Sequence, residues 1–258
     1  MGLGQAGEWL DAASEVTGMD IPRALERGSR ALARTEVLQP ALVAVALAGA
    51  EALEGVPDVV AGHSLGEFTA ACWAASLTPR EALRLVALRA RAMASAAAAC
   101  SGGMATVAGD EASVIAELEG APGVLEVAAV NAPDETVVSG DDSALAWLAA
   151  RRPITRLRVA GPWHSARMEP AVAPFKDALS RVFSGRTLRA PVVSAGRAGA
   201  VLAADLPSVL AEGLVHPVRW VETVQALSAR GVDRALLPPP SRHTRALLRR
   251  AGARAWSL

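Results

Sequence analysis

Ser64 stands at the centre of Gly62-His63-Ser64-Leu65-Gly66, and the flanking residues restrict what that pentapeptide can be. Before it, Val56-Pro57-Asp58-Val59-Val60-Ala61 is short, apolar and β-branched, the pattern of a buried strand. After it, Glu67-Phe68-Thr69-Ala70-Ala71-Cys72-Trp73 reads as helix. A Gly-x-Ser-x-Gly stretch between a strand and a helix requires a sharp elbow. The serine hydroxyl is then exposed, and the next backbone N–H points into the same space. That geometry suits attack on an acyl carbonyl. The alternative is an ordinary turn of small residues around a serine.

A chain of 258 residues, 52% hydrophobic, can bury one core or one core plus a small satellite domain. Its formal net charge of +0 points away from nucleic-acid binding. The cations are nearly all arginine, with Lys176 the single lysine, a compositional bias without functional content. Cys72 and Cys100 give neither metal-ligand spacing nor a disulfide framework and read as small core-filling residues. No metal site is expected. No basic start followed by an apolar stretch marks a signal peptide, and the apolar helix expected from Pro40 to Leu53 is shorter than a membrane span. A cytoplasmic protein without membrane association is the expectation.

Helices are expected over residues 7–17, 22–33, 40–53 and 67–76. Thr78-Pro79-Arg80-Glu81 is a capping box with proline at the first helical position, opening a helix to about residue 98. From Gly102 the order changes to strand 104–108, helix 110–118, strands 124–130 and 136–139, helix 144–152 and strand 154–159. This β-α-β-β-α-β order is the split βαβ plan of a ferredoxin-like unit. A helix over 169–183, a strand at 191–194, helices near 206–213 and 217–229, a strand near 234–237 and a helix near 243–251 complete the chain. The fold class is α/β: a layered domain from 1–101 and 161–258, with 102–160 inserted.

A serine needs a base. There are four histidines, His63, His164, His216 and His243. His63 should point away from its neighbour's hydroxyl, His216 precedes Pro217 in a turn, and His243 lies among arginines. His164 follows the inserted unit, at a junction where ligand clefts are usual. By elimination it is the candidate base, a surface or capping histidine being the alternative. No acid stands out as a third member. On the capped helix, Arg80, Arg84, Ala87 and Arg91 share a solvated face, while Leu85, Arg89, Met93 and Ala96 share an apolar one. Arg89 therefore needs a partner, because an unpaired buried charge is costly. An internal carboxylate and a carboxylate on a bound ligand satisfy it equally well.

Taken in order, Gln39-Pro40-Ala41-Leu42, Ala61 through Phe68, Ala82 through Val86 with Arg89 and Met93, Gly103-Met104-Ala105, Asn131-Ala132-Pro133, His164 through Met168 and His216 through Trp220 resemble the malonyl-CoA:acyl-carrier-protein transacylase family, including polyketide synthase acyltransferase domains. The resemblance runs over nearly the whole chain. It implies an α/β-hydrolase-like large domain with a ferredoxin-like insertion, and a ping-pong transfer. Ser64 would attack an acyl-CoA thioester with His164 as base, and an acyl carrier protein would take the acyl group on its phosphopantetheine thiol. No tightly bound cofactor is implied; coenzyme A arrives as the substrate thioester. Arg89 would grip the free carboxylate of a malonyl-type substrate, and backbone carbonyls would orient His164. Leu65 N–H would be one oxyanion donor, with His63, Gln39, Met93 and Asn131 around the substrate.

Three departures accompany the resemblance. The family's first strand ends in Gly-Gln-Gly and supplies a second oxyanion donor; Met1-Gly2-Leu3-Gly4-Gln5 lies beyond that strand, and Gln5 is a poor substitute. The family's C-terminal Gly-Pro-Gly loop reads Pro238-Pro239-Pro240, which should still offer carbonyls to His164. Trp163 stands where a smaller residue or phenylalanine is usual; it either restricts the acyl α-substituent, favouring malonyl over methylmalonyl, or packs between the domains. A hydrolase of stalled acyl-carrier proteins would share Ser64 and His164 without needing Arg89. A catalytically weak docking module of a synthase is a third reading.

Overall fold

A computed structural model describes residues 3–53, 55–254 and 256–257. Met1, Gly2 and the Gln5 side chain lie outside what is described. The first third is helical: α1 (Leu3–Thr17), α2 (Ile21–Glu26), α3 (Ser29–Leu32) and α4 (Thr35–Glu51), then β1 (Val60–Ala61), α5 (Leu65–Ala74) and α6 (Pro79–Ala98). The middle runs β2 (Gly102–Ala108), α7 (Glu111–Leu118), β3 (Leu125–Ala132), β4 (Glu135–Asp141), α8 (Asp142–Ala149) and β5 (Ile154–Arg156). The last third holds α9 (Glu169–Phe183), β6 (Val192–Ser194), β7 (Gly199–Val201), α10 (Leu206–Glu212), β8 (Val218–Arg219), α11 (Trp220–Ala229) and α12 (Arg242–Arg250). The class is mixed α/β, as expected.

Two sheets result. In the first, β1 pairs with β6 in parallel and β6 with β7 antiparallel. In the second, the order is β5-β2-β4-β3-β8. Its first four strands pair antiparallel, in the order of a split βαβ unit. The fifth comes from elsewhere: β8 joins β3 in parallel, Ala129 opposite Val218. The chain after residue 161 thus completes the sheet of the segment before it.

The capping box forms as read. Glu81 accepts from Thr78 N–H at 2.8 Å while Thr78 Oγ1 accepts from Glu81 N–H at 3.3 Å. Such a cap is worth about 1 kcal/mol. It starts α6, whose Leu85, Arg89, Met93 and Ala96 are all buried. Ala87 is buried too, so the solvated face is narrower than expected. The main core joins α4, α5, α6, α9 and α10, and Phe68 meets Phe175 with ring centroids 6.1 Å apart. Each such buried ring contributes roughly 1.5–3 kcal/mol and fixes α5 against α9.

Several expectations fail for identifiable reasons. The strand over 56–61 shrinks to two residues: Pro57 has no N–H, Val56 is 63% exposed, and pairing to β6 reaches only Val60 and Ala61. The helix over 22–33 is divided at Gly28, which takes a positive φ of 73°. The helix expected from 217 starts at Trp220, because Val218 and Arg219 pair with β3. Among the described residues, 234–237 form one isolated bridge, Arg234 to Ser257, and no ladder. Cys72 is buried, but Cys100 is half-exposed and its thiol lies 3.5 Å from the Ala97 carbonyl. No helix among the described residues is long and apolar enough to cross a membrane.

Candidate active site

β1 leads directly into the elbow. A Cβ added to Gly62 would lie 2.0 Å from the backbone carbon of Gly66, so only glycine fits at 62. A Cβ at Gly66 meets nothing within 4 Å, so the second glycine is not required by space. Ser64 takes φ 51° and ψ −112°, outside the regions ordinary residues favour. Strain of this kind costs on the order of 1–3 kcal/mol and concentrates at functional positions. It turns Oγ out of the elbow, and Leu65 follows as the first residue of α5. Its N–H has no intrahelical acceptor and stands at the positive end of the helix.

His164 meets this serine from the loop after β5, with Nε2 2.7 Å from Ser64 Oγ. It too has a positive φ, 58°. Its Nδ1 lies 3.1 Å from the His216 carbonyl oxygen. A carbonyl can only accept, so Nδ1 carries the proton and Nε2 presents its lone pair to the serine. The carbonyl that orients His164 therefore belongs to the α10–β8 connection, not to Pro238–Pro240. Burial is the main cause that lowers the His164 pKa to about 4, followed by the positive charge of Arg89. The imidazole is neutral at pH 7 and ready to take a proton.

Arg89 enters the same cleft from α6 and is only 5% exposed. Its Nη1 donates to Gln39 Oε1 at 2.5 Å. The Gln39 amide nitrogen donates in turn to Thr35 Oγ1 at 2.7 Å and to Met93 Sδ at 3.3 Å. Gln39 and Met93 thus stand behind the guanidinium and hold its direction. Among the described residues no carboxylate lies within ion-pairing distance of Arg89. Burial lowers its pKa to about 10, against the pull of the Glu67 carboxylate, so it stays cationic at neutral pH.

The cleft shared by Ser64, His164, Arg89, Glu67, His216 and Gly196 has an empty volume of about 340 Å³, counting its open mouth. His63 and Asn131 stand to one side. Asn131 Oδ1 accepts from His63 Nε2 at 2.8 Å, and the His63 ring meets Trp220 edge-on at 5.4 Å. Burial lowers the His63 pKa to about 4. His63 turns away from the hydroxyl, as expected. Trp163 does not line this cleft. It lines a second one with Thr35, Ala94 and Ala97, and packs against both the main core and the C-terminal apolar cluster. Among the described residues no cluster of three or more His, Cys, Asp or Glu could hold a metal ion.

Two features of the cleft do not follow from the residue pattern alone. The His216 carbonyl is a backbone group in a turn. Glu67 sits in the first turn of α5 and lines the cleft. A carboxylate on an otherwise apolar helix was the available signal.

The acyl transferase domain family model matches residues 9–236. This chain belongs to the acyl transferase family. Over 211 residues it is 37% identical to polyketide synthase GfsA of Streptomyces halstedii, covering 78% of this chain and 3% of that protein. The chain spans only a few per cent of the large polyketide synthases that it matches. It is 30% identical to the malonyl CoA-acyl carrier protein transacylase of Bacillus subtilis, covering 89% of this chain and 76% of that one. The crystal structure of the malonyl-CoA:acyl carrier protein transacylase from Xanthomonas oryzae superposes with a TM-score of 0.87 at 33% identity, covering 99% of this chain and 85% of that one. An acyl transferase fold therefore surrounds the elbow, His164 and Arg89.

Proposed function

We propose that this chain transfers a malonyl or closely related acyl group from coenzyme A to the phosphopantetheine thiol of an acyl carrier protein, through an ester on Ser64. His164 Nε2 takes the serine proton as Oγ attacks the thioester carbonyl. The oxyanion forms next to Leu65 N–H. On collapse the carbon–sulfur bond breaks, and His164 returns the proton to the coenzyme A sulfur. In the second half-reaction the carrier thiol attacks the ester, His164 accepts the thiol proton, and that proton passes to Ser64 Oγ as it leaves. The 2.7 Å contact between Ser64 and His164 supports this route and argues against an inert docking module.

One observation carries the choice of substrate. Arg89 is a buried cation in the cleft of Ser64 and His164, and among the described residues no carboxylate lies at ion-pairing distance from it. A carboxylate borne by the acyl group would complete it, and charge-assisted bidentate pairing is what guanidinium does best. A hydrolase of simple acyl chains has no use for such a group. The similarity to transacylases named for malonyl-CoA and acyl carrier protein supports the same reading. We also assign residues 102–160 to an inserted ferredoxin-like domain and 1–101 with 161–258 to an α/β-hydrolase-like domain, with β8 joining the two.

The test is incubation with malonyl-CoA and a carrier protein in its phosphopantetheinyl form. Malonyl-carrier protein should accumulate, and Ser64→Ala should abolish it. Release of free malonate without any malonyl-carrier protein would convert the reading to a hydrolase.

A further inference from the structure

Glu67 is a carboxylic acid that the reaction above does not use. It is 7% exposed and lies one turn along α5 from Ser64. Its Oε2 accepts from Ala195 N–H, just beyond β6, at 3.2 Å. Its Oε1 is buried and, among the described residues, has no hydrogen-bond partner. A buried carboxylate oxygen without a donor costs free energy if ionised, and is relieved if it carries a proton. Glu67 lines the same cleft as Arg89 and Ser64.

The groups around it come from four directions. Arg89 acts on it from α6, and is the charged group whose field favours its ionised form. The Ser194 hydroxyl and the Ala195 and Gly196 amides, at the end of β6, favour that form too. His164 and His216 share the cleft from the loops before α9 and before β8, and His164 is neutral at pH 7. Against these, burial dominates and pushes the Glu67 pKa up to about 7.

We propose that Glu67 is a specificity residue of the malonyl transfer proposed above: it holds a proton whenever a carboxylate-bearing acyl group sits on Arg89, so that capture of such a group takes up one proton from solvent. The proposal rests on that reading of Arg89. An incoming carboxylate neutralises the cation that helps Glu67 ionise and adds a like charge beside it. Both changes favour protonation. By reciprocity, ionisation of Glu67 weakens the hold on that acyl group, while an uncharged acyl group is indifferent to it. Glu67 then makes the preference for a charged acyl group depend on pH: it is full while Glu67 is protonated and fades as Glu67 ionises.

Calorimetric titration of the full-length Ser64→Ala protein at about pH 8, in two buffers of different protonation heat, reads proton uptake directly. Malonyl-CoA should bind with uptake approaching one proton, and acetyl-CoA with none; the coenzyme A phosphates are common to both. Adding Glu67→Gln should abolish the malonyl-dependent uptake. It should also flatten a malonyl-CoA affinity that otherwise weakens up to about tenfold per pH unit above neutrality. Equal uptake with both ligands, or undiminished uptake in Glu67→Gln, overturns the role of Glu67. The comparison of the two ligands decides the matter even if Glu67→Gln does not fold. Failure of malonyl-CoA to bind at all would instead strike the reading of Arg89, and this inference with it.

Discussion

The cleft at the elbow and the exposed ion pairs beside the β2–β5 strands treat charge in opposite ways. Beside the sheet, Arg167 pairs with Asp141 at 2.6 Å and Arg156 with Asp142 at 2.7 Å, with both arginines more than 40% exposed. Hydrogen bonds from these arginines and from Ser101 hold both aspartate pKa values below the usual range. In the cleft, among the described residues, Arg89 has no carboxylate at ion-pairing distance and one Glu67 oxygen has no donor, and His164 is held neutral by burial. Ser64 and His164 also adopt positive φ there and not in the sheet. These two exposed pairs contribute little, about 0–1 kcal/mol each. Buried groups short of partners cost stability and are kept available for something that binds.

The largest expected effect lies in the cleft. Ser64→Ala should lower the rate of malonyl transfer on the order of 10⁴-fold or more, read by malonyl-carrier protein formation; a loss below tenfold would remove the elbow from the chemistry. Gly62→Ala comes next. With 2.0 Å available beside Gly66, it should cost about 2–4 kcal/mol in denaturant unfolding. An unaltered midpoint would mean that the elbow is less tight than described.

Acid stability separates the two regions further. Between about pH 5 and 6, His63 and His164 are neutral when folded and protonated when unfolded, so each makes stability fall with acidification. Glu67 works the other way, protonated when folded and ionised when unfolded. The net is one proton, so stability should rise by about 1.4 kcal/mol per pH unit over that window. A flat profile would contradict the buried neutral histidines. The smallest effect belongs to the sheet: Arg156→Ala should change stability by less than about 1 kcal/mol. A loss above about 2 kcal/mol would show that surface pairing matters more than the comparison allows.

What could be read from the sequence was local. The elbow residues, the capping box and the buried stripe through Arg89 follow from spacings within a few turns, and the β-α-β-β-α-β order follows from alternating periods. What escaped depends on chain segments far apart. Val218 and Arg219 become a strand because β3 has a free edge beside them. Val56 to Val59 stay out of the sheet because nothing pairs with them. The acceptor for His164 is a backbone carbonyl, which leaves no mark in residue identity. Trp163 and His164 are neighbours that face different clefts, and the positive φ at His164 is invisible in a list of residue types. Glu67 was visible as a carboxylate on an apolar helix, but its missing donor is a fact of packing.

The central claim is that Arg89 awaits a carboxylate carried by the acyl group on Ser64. Intact-mass measurement of the protein after brief exposure to equal malonyl-CoA and acetyl-CoA tests it most directly. The unaltered protein should carry malonyl on Ser64 in large excess over acetyl. Arg89→Ala should lose malonyl labelling by about 10²-fold or more, equivalent to roughly 3 kcal/mol, and accept acetyl at least as well as before. Equal preference for malonyl in both proteins would contradict the account.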